Sequence, residues 1–351
     1  MIQARLLIVF ILLAFSACKI LESKPTVETI LIEKADLLSI KDEVALKDEV
    51  FMQSNFFIKK VLHDDVLYLK ANDLNHVIAY HFLDSSIVNY TYKPRPITVN
   101  EFSVGDESIY LFSEKSKLLI VLDHELHVKE EITFNPQKYD IESSMGESLF
   151  QWDERNQVFY VGMTQSKNAK GVELIGVFNR SGQLQFTFGN FKKDNQQAQP
   201  GYLLTNHGIR HQLTNTALYV LKKESSKLYQ FNLSGELQDE IKLDFEKIPK
   251  AEKVKPAGKS IIKDQVMDFF VDEARKEIVY TYLTNTGEYM GEKGPERYIA
   301  FKKFKSDTVC YDQVDFIDVL SYQNRVISTI PIRSETETKY LVKYQIKRLE
   351  D

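Results

Sequence analysis

Phe178-Asn179-Arg180-Ser181-Gly182-Gln183-Leu184-Gln185 returns as Phe231-Asn232-Leu233-Ser234-Gly235-Glu236-Leu237-Gln238, with six of eight positions identical and the copies starting 53 residues apart (178 to 231). An apolar run precedes each copy and an alternating run follows it. The repeated unit is therefore larger than the phrase. It reads as strand, Ser-Gly turn, strand, because glycine adopts the positive φ that tight hairpin turns demand. A unit returning at this interval implies a fold of recurring antiparallel sheets.

Working outward, similar strand pairs flank the two copies. Val66 to Leu69 is followed after a polar break by Val77 to Phe82, and Ser108 to Phe112 by Leu118 to Leu122 and then Val128 to Phe134. The runs Gln157 to Val161 and Leu174 to Phe178 lead into the first copy; Ala217 to Leu221 and Lys227 to Phe231 lead into the second. Two less regular units follow, Val266 to Val271 with Glu277 to Leu283, and Arg325 to Ile332 with Thr338 to Ile346. Tyr68, Tyr110, Tyr160 and Tyr219 take matching places in the first four units, at spacings of 42, 50 and 59 residues. Periods of this length with several strands each are the signature of a β-propeller. The expected fold is all-β: a six-bladed β-propeller of four-stranded antiparallel blades spanning 28–348, its ring closed by an N-terminal strand within Thr29 to Ile40 that joins the C-terminal blade. Two β-sandwich domains are the alternative, and the absence of a Pro-, Gly- or Ser-rich linker near the middle argues against them.

Composition agrees with a large β domain. The 351 residues are 43% hydrophobic and 12% aromatic, with 18 Tyr and 22 Phe, residue types that suit pleated, half-buried surfaces. Net charge is −5 with both signs mixed along the chain, so no electrostatic footprint for nucleic acid is present.

At the N-terminus, Arg5 precedes the apolar run Leu6 to Phe15 and the small residues Ser16 and Ala17. The run is too short for a standard membrane span and reads as a secretory signal over residues 1–17. Ala14-Phe15-Ser16-Ala17-Cys18 resembles a bacterial lipobox, which implies cleavage before Cys18 and acylation of its thiol; an ordinary exported protein cut nearby is the alternative. Residues 18–27 then form a lipidated cysteine and tether. Acyl chains anchor a protein to a membrane without crossing it. Lys19, in place of an aspartate associated with inner-membrane retention, favours the outer membrane.

Candidate binding residues lie where a strand opens a blade. His63-Asp64-Asp65 and His207-Gly208-Ile209-Arg210-His211 occupy comparable openings, so His63, Asp64, His207, Arg210 and His211 are expected near one mouth of the ring. His207 and His211 have the spacing of helical metal ligands, but Gly208 and the strand-rich context argue against a helix, and no metal is expected. Trp152, the sole tryptophan, is read either as a sugar-stacking surface in the channel or, more simply, as core. Asp312, Asp315 and Asp318 read as surface carboxylates in the absence of a calcium loop. Cys310 reads as a structural thiol. No Gly-x-Ser-x-Gly elbow, phosphate-binding loop or dinucleotide fingerprint occurs, so no cofactor and no catalytic residue is assigned. The polar stretches 189–201, 245–259 and 288–297 break the rhythm and read as loops or insertions.

The lipobox-like segment, the short tether and the run of irregular four-stranded units together resemble the six-bladed, TolB-like propeller lipoproteins of Bacteroidota. The resemblance implies an envelope protein with a binding or scaffolding role, tethered at the outer membrane and holding a protein, peptide or glycan. A glycan lyase or hydrolase, or a lactonase-like enzyme with its site at the channel mouth, is the alternative.

Overall fold

A computed structural model describes residues 31–34, 38–46, 57–71, 76–91, 99, 101–125, 127–141, 149–165, 172–192, 209–222, 227–244, 265–283, 296–306, 308–314, 319–322, 325–329 and 339–346. The signal segment, Cys18, the tether, His207, Asp315, Asp318 and most of the three polar stretches lie outside the described residues.

The chain begins with two strands, β1 (Leu31–Lys34) and β2 (Leu38–Leu46), which join sheets formed much later in the sequence. Five blades follow in order. The first is β3 (Phe57–His63), β4 (Val66–Ala71), β5 (His76–His81) and β6 (Ile87–Thr91); the second is β7 (Glu101–Val104), β8 (Ile109–Ser113), β9 (Leu118–Leu122) and β10 (Val128–Thr133). In the third, β11 (Tyr139–Ile141) and β12 (Phe150–Asp153) share one edge of β13 (Val158–Gln165), which continues to β14 (Val172–Asn179) and β15 (Leu184–Lys192). The fourth is β16 (Ile209–Leu213), β17 (Ala217–Lys222), β18 (Lys227–Asn232) and β19 (Leu237–Lys242). The fifth is β20 (Gln265–Asp272), β21 (Glu277–Leu283), β22 (Arg297–Lys303) and β23 (Thr308–Val314), with β1 added in parallel to β23. The protein is thus an all-β propeller of four-stranded antiparallel blades.

The count of six self-contained hairpin units is corrected to five. The last expected unit supplies only β24 (Leu320–Tyr322), β25 (Arg325–Thr329) and β26 (Lys339–Ile346), and its sheet takes its outer strand from β2, in the order β2-β26-β25-β24. The N-terminal segment expected as one closing strand is also divided, β1 going to the fifth blade and β2 to this composite sheet.

Burial explains which strands are legible as apolar runs. Strands inside a blade are covered on both faces by neighbouring blades, so β9 and β21 are almost wholly buried, whereas outermost β10 and β19 each bury a single residue. The core is divided among the joints: Tyr68, Ala79, Phe102 and Leu111 fill the first, Phe112, Trp152, Phe159 and Phe178 the second, and Tyr160, Ile175, Val220 and Phe231 the third. Tyr219, Leu228, Phe269 and Tyr280 fill the fourth, and Phe270, Ile299, Val319 and Val326 join the fifth blade to the composite sheet. The second joint is an aromatic stack, with Phe112 on Phe150 at 4.8 Å and Trp152 on Phe159 at 4.4 Å between centroids. Tyr280 extends the tyrosine series to a fifth blade, on β21.

Both copies of the repeated phrase turn a blade's third strand into its fourth. Gly182 N–H donates to Asn179 O and Asn179 N–H to Gln183 O, a three-residue loop whose last residue must take positive φ; Gly182 has φ 77° and Gly235 φ 88°. Asn179 Oδ1 accepts from Ser181 N, Ser181 Oγ and Gln183 N, and Asn232 Oδ1 from Ser234 Oγ and Glu236 N. Each turn also seats on the preceding blade: a Cβ on Gly182 would lie 2.6 Å from Thr133 O, and one on Gly235 2.7 Å from the Phe188 ring. A third turn is hidden in Asp123 to His127, where Asp123 replaces the asparagine and accepts from His127 N at 2.7 Å.

Candidate functional site: the channel mouth

The innermost strands end at a shared cavity of about 840 Å³. Val61 to His63 line it from β3, Val104 to Asp106 from the end of β7, Gln151 to Arg155 from β12 and its turn, and Gln212 to Asn215 from β16. Val271 to Glu273 line it from β20 and Ser321 from β24. Every sheet among the described residues therefore contributes its inner strand to one opening, where the chain turns from a blade's first strand to its second.

Side chains bridge the inner strands, which among the described residues carry no ladder bonds between blades. Ser103 Oγ accepts from Trp152 N at 3.0 Å. At the equivalent place between the fourth and fifth blades, the Gln212 amide pairs with Val271, Oε1 accepting its N–H at 2.6 Å and Nε2 donating to its carbonyl at 3.1 Å. Ser103 and Gln212 are the register partners of Tyr110 and Tyr219.

The mouth is built on two related turns, Asp153-Glu154-Arg155-Asn156 and Asp272-Glu273-Ala274-Arg275. In each, the aspartate Oδ1 accepts the N–H three residues on, at 3.1 Å, a local bond that fixes the turn. The following glutamate reaches to the neighbouring blade. Glu154 Oε2 accepts from Trp152 Nε1 at 2.7 Å and from Asp106 N at 3.3 Å. A side chain at Gly105 would place its Cβ 2.4 Å from that oxygen, so the close approach requires glycine. Around Glu273 Oε1 stand the hydroxyls of Thr216 at 2.6 Å, Thr214 at 2.9 Å and Tyr219 at 3.1 Å. Burial first, and then the carboxylate each one faces, push the Tyr110 phenol up to about 12 and raise those of Tyr160 and Tyr219. These phenols therefore stay protonated and donate at neutral pH.

Three residues inward, roughly 10 Å at strand rise, lies a different arrangement. Asp268 is almost fully buried; its Oδ2 accepts from Lys60 Nζ at 3.2 Å and from Val319 N at 3.0 Å, and its Oδ1 lies 3.8 Å from Arg210 Nε. One carboxylate thus meets the first blade, the fourth blade and the residue leading into β24. Burial opposes its charge, but Lys60, Arg210 and the Val319 N–H outweigh that cost and hold its pKa below the ordinary carboxylate value.

The structure separates the residues singled out from sequence. His63 and Trp152 reach the mouth. His63 Nε2 stands 3.5 Å from Asp106 Oδ1 and 3.8 Å from Asp64 Oδ2. Asp64 is exposed and has φ 50°, making it the turn former between β3 and β4. Trp152 is 3% exposed, packed between Tyr110 and Phe159, with only its indole N–H turned to the mouth. Arg210 lies at the inner end, donating to Met267 O at 3.0 Å, and His211 alternates with it on β16, so the two do not share a face. Sequence reasoning missed Glu154, Glu273 and Asp268. The Asp-Glu pair recurring seven or eight residues before the tyrosine of its blade, Asp153 before Tyr160 and Asp272 before Tyr280, is the signal that would have found the first two. Among the described residues, no group of three or more His, Cys, Asp or Glu side chains is arranged to hold a metal ion.

No known family profile matches the chain, and no curated protein matches it by sequence. Solved structures do match by fold. A member of the DUF4221 family from Bacteroides vulgatus aligns with a TM-score of 0.62 at 10% identity, over 89% of this chain and 98% of that one. A putative exported protein from Bacteroides fragilis aligns at 0.53 and 10% identity, over 91% and 99%. At these identities the likeness establishes the propeller fold alone.

Proposed function

We propose that this chain is an envelope-anchored binding propeller of the Bacteroidota type. Its five blades are joined into a closed ring by the composite sheet, to which β2 supplies the outer strand. A lipidated Cys18 holds it at the outer membrane, and the channel mouth receives a protein, peptide or glycan. Ring closure is supported by the pairing of β2 with β26 from Leu38↔Ile346 to Leu46↔Lys339, and by Ser321 of the composite sheet reaching the same cavity as the five blades.

The observation that carries the binding reading is the use the mouth makes of its carboxylates. Asp153, Glu154, Asp272 and Glu273 are each tied into turns or neighbouring blades by hydrogen bonds. Groups tied in this way hold the shape of an opening, which suits recognition. The alternative, a glycan lyase or hydrolase or a lactonase-like enzyme, has one observation in its favour, the His63–Asp106 pair at the rim.

The test is photocrosslinking in native envelopes from position 215, at the mouth, and from position 115, in the turn between β8 and β9 at the far end of the second blade. A discrete adduct from 215 alone is expected; adducts of equal yield from both positions would remove the mouth as the binding site. For the anchor, Cys18→Ala is expected to move the protein from the membrane fraction to the soluble fraction, and unchanged partition would sink lipidation.

A further inference from the structure

We infer that the mouth-side turns of the fifth blade rest on an anionic phospholipid surface, so that the channel mouth opens toward the membrane that holds the anchor. This deepens the envelope-anchored reading above and rests on its anchor at Cys18. Strand direction supplies the first observation. Lys276 N–H donates to Glu273 O, and Phe304 N–H to Lys276 O, so the turn from β22 into β23 is tied to the turn that carries Glu273 into the cavity. β23 therefore starts at the mouth. β1 pairs with it in parallel, from Leu31↔Thr308 to Lys34↔Tyr311, and so the chain reaches the ring at the mouth end of the fifth blade's outer edge. The 13 steps from Cys18 to Leu31 (31 − 18) span at most about 45 Å even when fully extended. Turning the far end of the ring to the membrane would use roughly 23 Å of that reach in running back along the seven residues of β23.

Charge supplies the second observation. Lys276, Lys303 and Lys305 are exposed at those two turns, beside the place where Leu31 meets Thr308. Asp272 and Glu273 of the same blade line the cavity instead, with Asp272 paired to Arg275 at 3.3 Å, and Asp307 lies outside the described residues. Among the described residues, the corresponding turns of the first four blades carry no lysine; Asp64, Asp84, Glu107 and Glu236 are exposed there against Arg155 and Arg180. Basic side chains are drawn to anionic headgroups, and the attraction falls off within a Debye length. The three lysines therefore act only if their turns lie close to the membrane, and that is where the anchored segment brings them. The acidic turns of the other blades are held off the headgroups. The ring thus leans on its fifth blade, and the mouth is open to a ligand presented at that surface.

The mature chain from Cys18, carrying Cys310→Ser, can be coupled through its Cys18 thiol to a maleimide phospholipid, which places an anchor there whether or not the cell acylates that thiol. A donor dye at position 215 or at position 115 then reports its distance from acceptor-labelled lipid, in vesicles of phosphatidylcholine alone or mixed with phosphatidylglycerol. The two positions lie at opposite ends of the ring, roughly 20 Å apart along the strands, so with phosphatidylglycerol the transfer from 215 is expected to exceed that from 115 several-fold. Lys276→Gln, Lys303→Gln and Lys305→Gln together should remove most of this excess, and Lys227→Gln, exposed on β18, should leave it unchanged. Equal transfer from the two positions, or greater transfer from 115, would overturn the orientation. An undiminished excess in phosphatidylcholine alone or in the triple variant would overturn the contact between lysines and headgroups. An excess seen only in vesicles made from native envelopes would assign the contact to a membrane protein and overturn the lipid surface. Failure of lipidation shows instead in the Cys18→Ala fractionation, and failure of the mouth as a binding site in the crosslinking from position 215; neither moves this readout.

Discussion

Asp268→Asn removes a buried charge that the surrounding sheets are arranged to meet. At 3.2 Å from Lys60, two unit charges interact by about 5 kcal/mol at an effective dielectric of 20. Breaking a buried pair from one side costs about 3–5 kcal/mol, because the remaining charge is left in a poor solvent. The asparagine oxygen can still accept from Val319 N, which puts Asp268→Asn near the lower bound, about 3 kcal/mol. At the ~2 °C per kcal/mol typical of large domains, Tm should fall by about 6 °C. Lys60→Met should cost a similar amount, and the double variant about 2 kcal/mol less than the sum, since the second change removes a charge already orphaned. The pH dependence has a definite sign. The folded-state pKa of Asp268 is depressed, so its stabilisation is fully present above the unfolded value near ~4 and is lost as pH falls through the lower folded value. Denaturant melts of the four proteins at pH 7 and at stepwise lower pH measure all of this. Additive single costs, or a wild-type advantage over Asp268→Asn that persists unchanged into acid, would refute the reasoning.

Three further outcomes follow from the same contacts. Gly182→Ala should destabilise by more than the ~1–2 kcal/mol of a left-handed residue, because its Cβ would press on Thr133 O; a change below 0.5 kcal/mol in urea melts, roughly the scatter of surface substitutions, would contradict the seating of the turn on the second blade. Asn179→Ala removes the acceptor of three bonds and should cost about 1–2 kcal/mol by the same assay. Trp152→Phe keeps the aromatic stack but drops the bond to Glu154, so the crosslinking yield from position 215 should fall more than stability does; the reverse ranking, measured by crosslinking and melting together, would make Trp152 a core residue alone.

The middle of each blade was legible in the sequence because its strands are buried on both faces. Leu118 to Leu122, Ala217 to Leu221 and Glu277 to Leu283 are apolar runs for that reason. The inner strands were harder. Glu101-Phe102-Ser103-Val104 is fully buried yet half polar, since a strand at the channel trades ladder bonds for side-chain bridges such as that of Ser103. The composite sheet was half legible: the sequence signals strands at both chain ends, but pattern alone does not say that β1 turns aside to the fifth blade. At the site, the search for rare residues found His63 and Trp152 and passed over glutamates. Glu154 and Glu273 are common residues whose role comes from reaching across to another blade, a relation with no local signature beyond the Asp-Glu pair. The Asp268 cluster was equally opaque: Arg210 was singled out for the mouth, but Lys60, Arg210 and Asp268 are far apart in sequence and nothing local pairs them.

Hydrogen–deuterium exchange on the protein in its native envelope, compared with the purified protein, tests the mouth most directly. The account predicts added protection in the envelope at 61–63, 104–106, 151–155, 212–215 and 271–273, with the outer strands β10, β15 and β19 unchanged. Protection confined to those outer strands would contradict it and place the binding surface on the rim of the ring.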